Sequence, residues 1–473
     1  MSRFIKKIFA KVKKLIKRTN QDSTPHQHQQ QPVSSQPIDE TILEQPLRET
    51  DVRQDGEYNG EPQNDDAQQF RDHFPPSDPS KPPISTFFRS ESYGLDPKNL
   101  KTESGALAER TFQYFYCGRT HQFQGKVEHE AADCLSPQRV NQVALVQQEY
   151  WNKDYHAFCA WKMFIGNKDI YYDDNAHAVQ ALISSYEVTG QLEFLLQAKD
   201  VLEYFIMKFA TEEAGGIPWH VSNNKVRAAC SVGPAVISAL RIRALPSTHV
   251  LDSQNRPEYY LRFATIMLTW LREIERTKWS YNSGFAIHGF TLLYEATNDR
   301  SHLKTAIEIA EAALDPNGVL YDHCIPDPSQ RMLSDGSFFL HHLVDGYLAL
   351  SKHAHTKKLR NEIIRIAKWG KEFMKDKEDE LYYRGSRPYT ISSKQANQFY
   401  VKFGIRKFKE QNKQELDKDG NQCKTMIGCA SWARILRAAE IVKASIAKES
   451  AGEATVNEKA IKGMKETTDA VHV

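Results

Sequence analysis

One helical hairpin keeps returning in this chain, and its return limits what the chain can fold into. The segments "SYEVTGQLEFLLQAKDVLEYF" (185–205) and "LYEATNDRSHLKTAIEIAEAA" (293–313) share one layout. Each is the end of a helix, then a short turn carrying Gly190 or Asn298, then a second amphipathic helix. "EYYLRFATIMLTWLREI" (258–274) and "GYLALSKHAHTKKLRNEIIRIAKWGKEF" (346–373) fit the same template. A repeat of roughly 40 to 60 residues built from helix pairs means stacked hairpins, because one pair cannot bury its own apolar face. Five units are clear and another begins near "NQVALVQQEYW" (141–151). Six pairs can close into a ring or run on as an open solenoid. Aromatic and polar residues cluster where the first helix of each hairpin begins, which is where a ring would hold its central pocket. The expected fold is therefore all-α, an (α/α)6 toroid of helical hairpins over residues 105–445.

The flanks differ in kind. Residues 1–18 carry eight Lys or Arg and no acid, with Phe4, Ile5, Ile8, Phe9, Val12, Leu15 and Ile16 on one helical stripe. That pattern suits a helix lying in an anionic membrane surface; a mitochondrial targeting segment is the competing reading. Removing these eight from the 62 basic residues leaves 54 against 60 acids, a net −6 for the remainder. Charge thus gives the body no reason to bind nucleic acid. Residues 19–104 are rich in Gln, Pro, Ser, Asp and Glu and read as a disordered linker. Residues 402–424 read as a charged, solvated insertion and 446–473 as a disordered tail. Seven scattered cysteines without a CxxC pair fit a reducing compartment. No apolar run is long enough to cross a membrane, and lysines interrupt every candidate secretion signal. An intracellular, cytoplasmic protein, peripheral at a membrane through its first residues, is the expectation.

Within the repeats, "YYDDNAHAVQALISSYEVTG" (171–190) sets Asp173 beside Asp174 at the mouth of a helix whose buried stripe is Ala178, Val179, Leu182, Ile183 and Tyr186. One aspartate is explained as an N-cap, where free amides and the helix dipole favour negative charge. The second is not. Two carboxyls a few ångströms apart separate in pKa, so one stays ionised while the other holds a proton. A glycosidase needs that division between nucleophile and acid. Neighbouring Cβ atoms lie about 5–6 Å apart, near the carboxyl separation of a retaining mechanism.

Other helix mouths carry related chemistry. "EEAGGIPWH" (212–220) holds Trp219, "ACSVGP" (229–234) holds Ser231, "WSYNSG" (279–284) holds Tyr281 and Asn282, and "LSDGSFF" (333–339) holds Asp335 and Phe338. Aromatic faces beside amides and hydroxyls suit sugar rings; caps and core aromatics would look the same in sequence.

"YYDDNA", "GGIPW", "CSVGP" and "YNSG", in this order on a helical-hairpin background, resemble glycoside hydrolase family 76, the (α/α)6 endo-α-1,6-mannanases and relatives. The resemblance covers roughly 140–375, with a weaker tail to 445. It implies Asp173 as nucleophile, Asp174 as general acid/base, and retention through a covalent glycosyl-enzyme. Tyr172, Trp219, Ser231, Tyr281 and Asn282 are the residues expected to bind substrate. No metal or cofactor is implied. The pattern departs where Ala228 and Val232 stand for asparagines, where YNSG replaces Y-N-Q-G, and where "FFLHHLVDG" lacks an arginine.

Two rivals follow. A sugar epimerase or lyase on the same fold would need pocket histidines, for which His177, His220 and His288 are candidates. A degenerate barrel that binds glycan or protein without turnover is motivated by the two missing asparagines. "HHLVD" (341–345) offers His341, His342 and Asp345, but adjacent histidines diverge on a helix and make a poor zinc site.

Overall fold

The computed structural model describes residues 101–117, 122–123, 134–135, 137–210, 215–245, 256–274, 279–406 and 422–469. The chain divides into units 1–81 and 82–473, and every described residue belongs to the second. The basic helix expected over 1–18, nearly all of the linker expected over 19–104, and the centre of the 402–424 insertion lie outside the described residues.

Twelve described helices follow in order: α1 Glu103–Phe115, α2 Pro137–Gln148, α3 Tyr172–Thr189, α4 Leu192–Asp200, α5 Ala229–Ala244, α6 Arg256–Ile274, α7 Ser280–Thr297, α8 Arg300–Ala313, α9 Ser337–Leu350, α10 Thr356–Trp369, α11 Ser393–Phe403 and α12 Met426–Asp469. They form an (α/α)6 toroid. The inner helices pack in sequence, α3 on α5, α5 on α7, α7 on α9, α9 on α12 and α12 on α1, while α4, α6, α8 and α10 each back the inner helix before them. Side chains tie the later members in. Glu440 accepts from the Ser104 amide (2.9 Å) and hydroxyl (2.6 Å), joining α12 to α1. Arg434 meets Asp345 at 2.8 Å, joining α12 to α9.

Local sequence explains the hairpins. Gly190 (φ 72°) and Asn298 (φ 57°) end α3 and α7 in the left-handed conformation these residues tolerate best. Asp299 then caps α8, accepting from the Ser301 amide at 2.8 Å. On α3, Ala178, Val179, Leu182 and Ile183 are buried in the main core as the apolar spacing predicts, with Tyr186 packed at its edge. The inner wall is tight between α7 and α9. A Cβ on Gly284 would meet the His342 carbonyl at 2.4 Å, and one on Gly346 would meet the Gly284 carbonyl at 2.7 Å. Only glycine permits that approach.

Three features depart from the helical expectation. Among the described residues, three two-stranded antiparallel ribbons occur, β1–β2 (Tyr116–Cys117 with Gln122–Phe123), β3–β4 (Trp151–Asn152 with Ala157–Phe158) and β5–β6 (Pro218–His220 with Asn223–Arg227). The backbone of α4 widens into a π-helical stretch, Val201–Met207. The last helix runs to Asp469, so the backbone over 446–469 is helical where a disordered tail was expected. Its stretch "SIAKESAGEATVNEKAIKGMKETTD" is rich in Ala, Glu and Lys, which favour helix even without a packed face.

Candidate active site

The first turns of α3, α5, α7 and α9 come together. Tyr171, extended at φ −103° and ψ 139°, precedes α3 and places no side chain on its free amides. The cap expected from an aspartate is therefore absent: Asp173 and Asp174 lie inside the first turn, where the dipole favours their charge. Asn175 fixes this mouth. Fully buried, it accepts from the Phe158 amide (2.7 Å) and donates to the carbonyls of Phe158 (2.9 Å) and Tyr171 (2.7 Å).

Asp173 is partly buried and Asp174 exposed. Two donors converge on one oxygen of Asp173. Trp219 Nε1, from β5, reaches Oδ2 at 3.1 Å, and Cys230 Sγ, from the first turn of α5, reaches the same atom at 3.4 Å. The other oxygen, Oδ1, is buried and has no hydrogen-bond partner. The carboxyl is thus held by one end with the other free. Burial, then the Asp173 charge, pushes the Cys230 thiol well above its ordinary pKa, with Asp174 adding to the effect. The thiol keeps its proton and acts as a donor.

The neighbouring mouths close the group. Cys230 packs with Trp279, Tyr281, Phe285 and Phe339 in a small apolar cluster separate from the main core. Tyr281 stacks on Phe339 with centroids 4.8 Å apart. Asp335, ahead of α9, accepts from the Ser280 amide at 2.7 Å and so ties α9's mouth to α7's. Burial raises the Asp335 pKa against that hydrogen bond. The Ser280 hydroxyl and Trp279 Nε1 are buried without partners beside it.

Of the residues expected at the site, Trp219 meets Asp173 directly, and Asp174 is the next residue in the first turn of α3. Tyr281 (8 % exposed) and Asn282 (8 %) sit at the α7 mouth, and Ser231 (0 %) lies beneath the α5 mouth. Tyr172 is a correction. It is 3 % exposed and stacks flat on Phe205 of the π-helical stretch, centroids 4.3 Å apart. Burial pushes its hydroxyl up to about 12. The helix's first turn rotates Tyr172 inward to the core and leaves Tyr171 against Trp219 (5.1 Å). Sequence reasoning also missed the roles of Cys230 and Asn175, though both lie inside the quoted motifs.

The histidines fall into two groups. His342 is buried and held neutral by burial and by His341 and His177; burial likewise brings His288 down to about 4. His177 lies 5.1 Å from His342, one turn below Asp173. His220 lies beside Tyr171, with ring centroids 4.5 Å apart and its side chain 17 % exposed. Asp345 pairs with Arg434, so "HHLVD" gathers no ligand set, and among the described residues no group of three metal-ligating side chains occurs.

A family model, "Glycosyl hydrolase family 76", matches residues 84–368. The chain belongs to glycoside hydrolase family 76. Among curated proteins, the family 76 chain is 27% identical over 383 residues to the "Meiotically up-regulated gene 191 protein" of Schizosaccharomyces pombe, covering 71% of this chain and 82% of that one. Among solved structures, a family 76 mannosidase from Bacteroides thetaiotaomicron aligns with a TM-score of 0.51 at 15% identity, over 72% of this chain and 96% of that one. The α-1,6-mannanase of Salegentibacter sp. HEL1_6 aligns with a TM-score of 0.50 at 15% identity, over 72% and 100%. A variant of that mannanase with two consecutive aspartates replaced by asparagine is described as inactive and holds α-1,6-mannotriose. At these identities the structural likeness concerns the fold.

The departures from the family's pattern have structural readings here. Val232 is fully buried in the main core. Ala228 is the residue before α5 and offers no side-chain cap.

Proposed function

We propose that this family 76 glycoside hydrolase cleaves an α-mannosidic, α-1,6-mannan-like linkage by retention, with Asp173 as nucleophile and Asp174 as general acid/base. The observation that carries the reading is the hold on Asp173. Trp219 and Cys230 converge on its carboxylate and orient it at the mouth of α3, next to Asp174. In the first step the Asp173 carboxylate bonds to the anomeric carbon, the glycosidic C–O bond breaks, and the proton of Asp174 passes to the leaving oxygen. In the second, Asp174 takes a proton from water, the hydroxide bonds to the anomeric carbon, and the ester bond to Asp173 breaks. The exposure of Asp174 suits a group that must reach first the leaving oxygen and then the attacking water. The substrate class is supported by the linkage named for the Salegentibacter mannanase, and the residue pair by its inactive double-aspartate variant.

The test is hydrolysis of α-1,6-mannan, with D173N and D174N made separately. Both variants are expected to lose turnover. An activated leaving group, which needs no proton, rescues the first step in D174N but not in D173N. Full activity of D173N on mannan overturns the assignment.

A further inference from the structure

Beside the catalytic pair, a line of side chains leads outward from Trp219, and beyond Trp219 the hydrolytic step uses none of them. The strand pairing puts them in register: His220 bridges Tyr171, and the Val221 amide donates to the Ile170 carbonyl at 3.2 Å. Ile170 points into the core, fully buried, so by strand alternation Asp169 and Tyr171 take the other face. Tyr171 lies edge-on to Trp219 (5.1 Å), whose indole N–H holds Asp173, and its ring sits 4.5 Å from His220. His220 Nε2 is 3.2 Å from Asp169 Oδ1, and Trp161 Nε1 donates to Asp169 Oδ2 at 2.7 Å. The path from nucleophile to surface is Asp173, Trp219, Tyr171, His220, Asp169, Trp161.

The hydrogen bonds fix the proton on His220. The Ser222 backbone amide donates to Nδ1 at 3.2 Å, so Nδ1 is an acceptor and the proton sits on Nε2, facing Asp169. Asp169 is held below its ordinary pKa, chiefly by that hydrogen bond, with Trp161 and Tyr171 adding to it. It stays ionised and can accept further bonds, its side chain 36 % exposed. Trp161 is 50 % exposed. A large indole left half in water is normally free to turn, yet its N–H anchors this one to a carboxylate. The result is a fixed apolar face beside fixed polar groups, the combination a saccharide ring binds through its C–H face and hydroxyls.

We propose that Trp161, Asp169 and His220 form a distal saccharide subsite, continuous with the catalytic pair, that binds a sugar unit of an extended α-mannan chain away from the cleaved bond. This rests on the proposed mannanase reading and deepens it: such a subsite makes the protein prefer long chains to short ones.

The experiment compares α-1,6-mannohexaose with an aryl α-mannoside, and measures calorimetric binding of the hexasaccharide to the inactive D173N protein. Removing an aromatic platform weakens binding about tenfold. The expected results are a drop of about tenfold in the hexasaccharide-to-aryl ratio of kcat/KM for W161A, carried by KM, and a matching loss of hexasaccharide affinity in D173N/W161A. W161F, which keeps a ring face, loses much less. Unchanged affinity and ratio in W161A, in a wild-type protein that does hydrolyse mannan, overturn the subsite alone. Wild-type protein that neither hydrolyses mannan nor, as D173N, binds the hexasaccharide overturns the functional reading and the subsite with it.

Discussion

Replacing Cys230 with alanine isolates one half of the hold on Asp173. The thiol lies 3.4 Å from Oδ2, and burial together with the Asp173 charge keeps it protonated, so it donates throughout the working pH range. Hydrogen bonds to charged groups contribute about 1.5–3 kcal/mol. A thiol is a weak donor, which places this one at the low end. Trp219, 3.1 Å from Oδ2, is left as a donor in the variant, so the carboxyl should loosen without being released. A loss of about 1.4 kcal/mol at the transition state is a tenfold fall in rate. C230A should therefore show kcat on an aryl α-mannoside reduced about tenfold, with KM little changed because the thiol bonds to the carboxylate we propose as nucleophile. C230S offers a hydroxyl donor to the same oxygen and should recover most of the loss. Thermal melts of all three proteins separate this effect from unfolding. Wild-type kcat in a folded C230A, or C230S as slow as C230A, would refute the reasoning.

Three further outcomes follow from other parts of the site. N175A leaves the Phe158 amide and carbonyl buried without their partner, and should cost about 3 kcal/mol in urea unfolding; an unchanged midpoint would show that β4 does not depend on this clamp. A228N puts a capping side chain at φ −125° and ψ 133° ahead of α5, and should raise stability by about 1 kcal/mol; a lower melting temperature would contradict it. Burial raises the folded pKa of Asp335, so its favourable share of stability is complete below its unfolded value and fades as pH rises through the folded one. D335N removes that dependence while its amide oxygen still accepts from Ser280. Unfolding at several pH values between about 4 and 7 should show D335N gaining on wild type as pH rises, and a flat difference would count against it.

The helices were legible because their signals are local. Gly190 and Asn298 mark chain reversals by their own conformational preferences, and the α3 stripe repeats at helical spacing. The Asp173–Asp174 pair was legible for the same reason, being adjacent in sequence. What was missed depends on distant partners. Cys230 is 57 residues from the aspartate it holds, and nothing in "ACSVGP" says that its thiol faces "YYDDNA". The β5–β6 ribbon owes its place to the bridge between Tyr171 and His220, a pairing that no short window contains. Tyr171 and Tyr172 are alike in sequence. Phe205, from the π-helical stretch that follows α4, lies against Tyr172, and this partner, distant in sequence, marks which ring belongs to the core.

The central claim is that one oxygen of Asp173 is bonded to sugar during turnover. An activated 2-fluoro mannosyl donor traps that bond, and mass spectrometry of the digested protein locates it. The account predicts one added 2-deoxy-2-fluoromannosyl group on the peptide carrying Asp173, absent in D173N and still formed in D174N. A label mapped to Asp174, or first-formed product of inverted configuration by NMR, would contradict it.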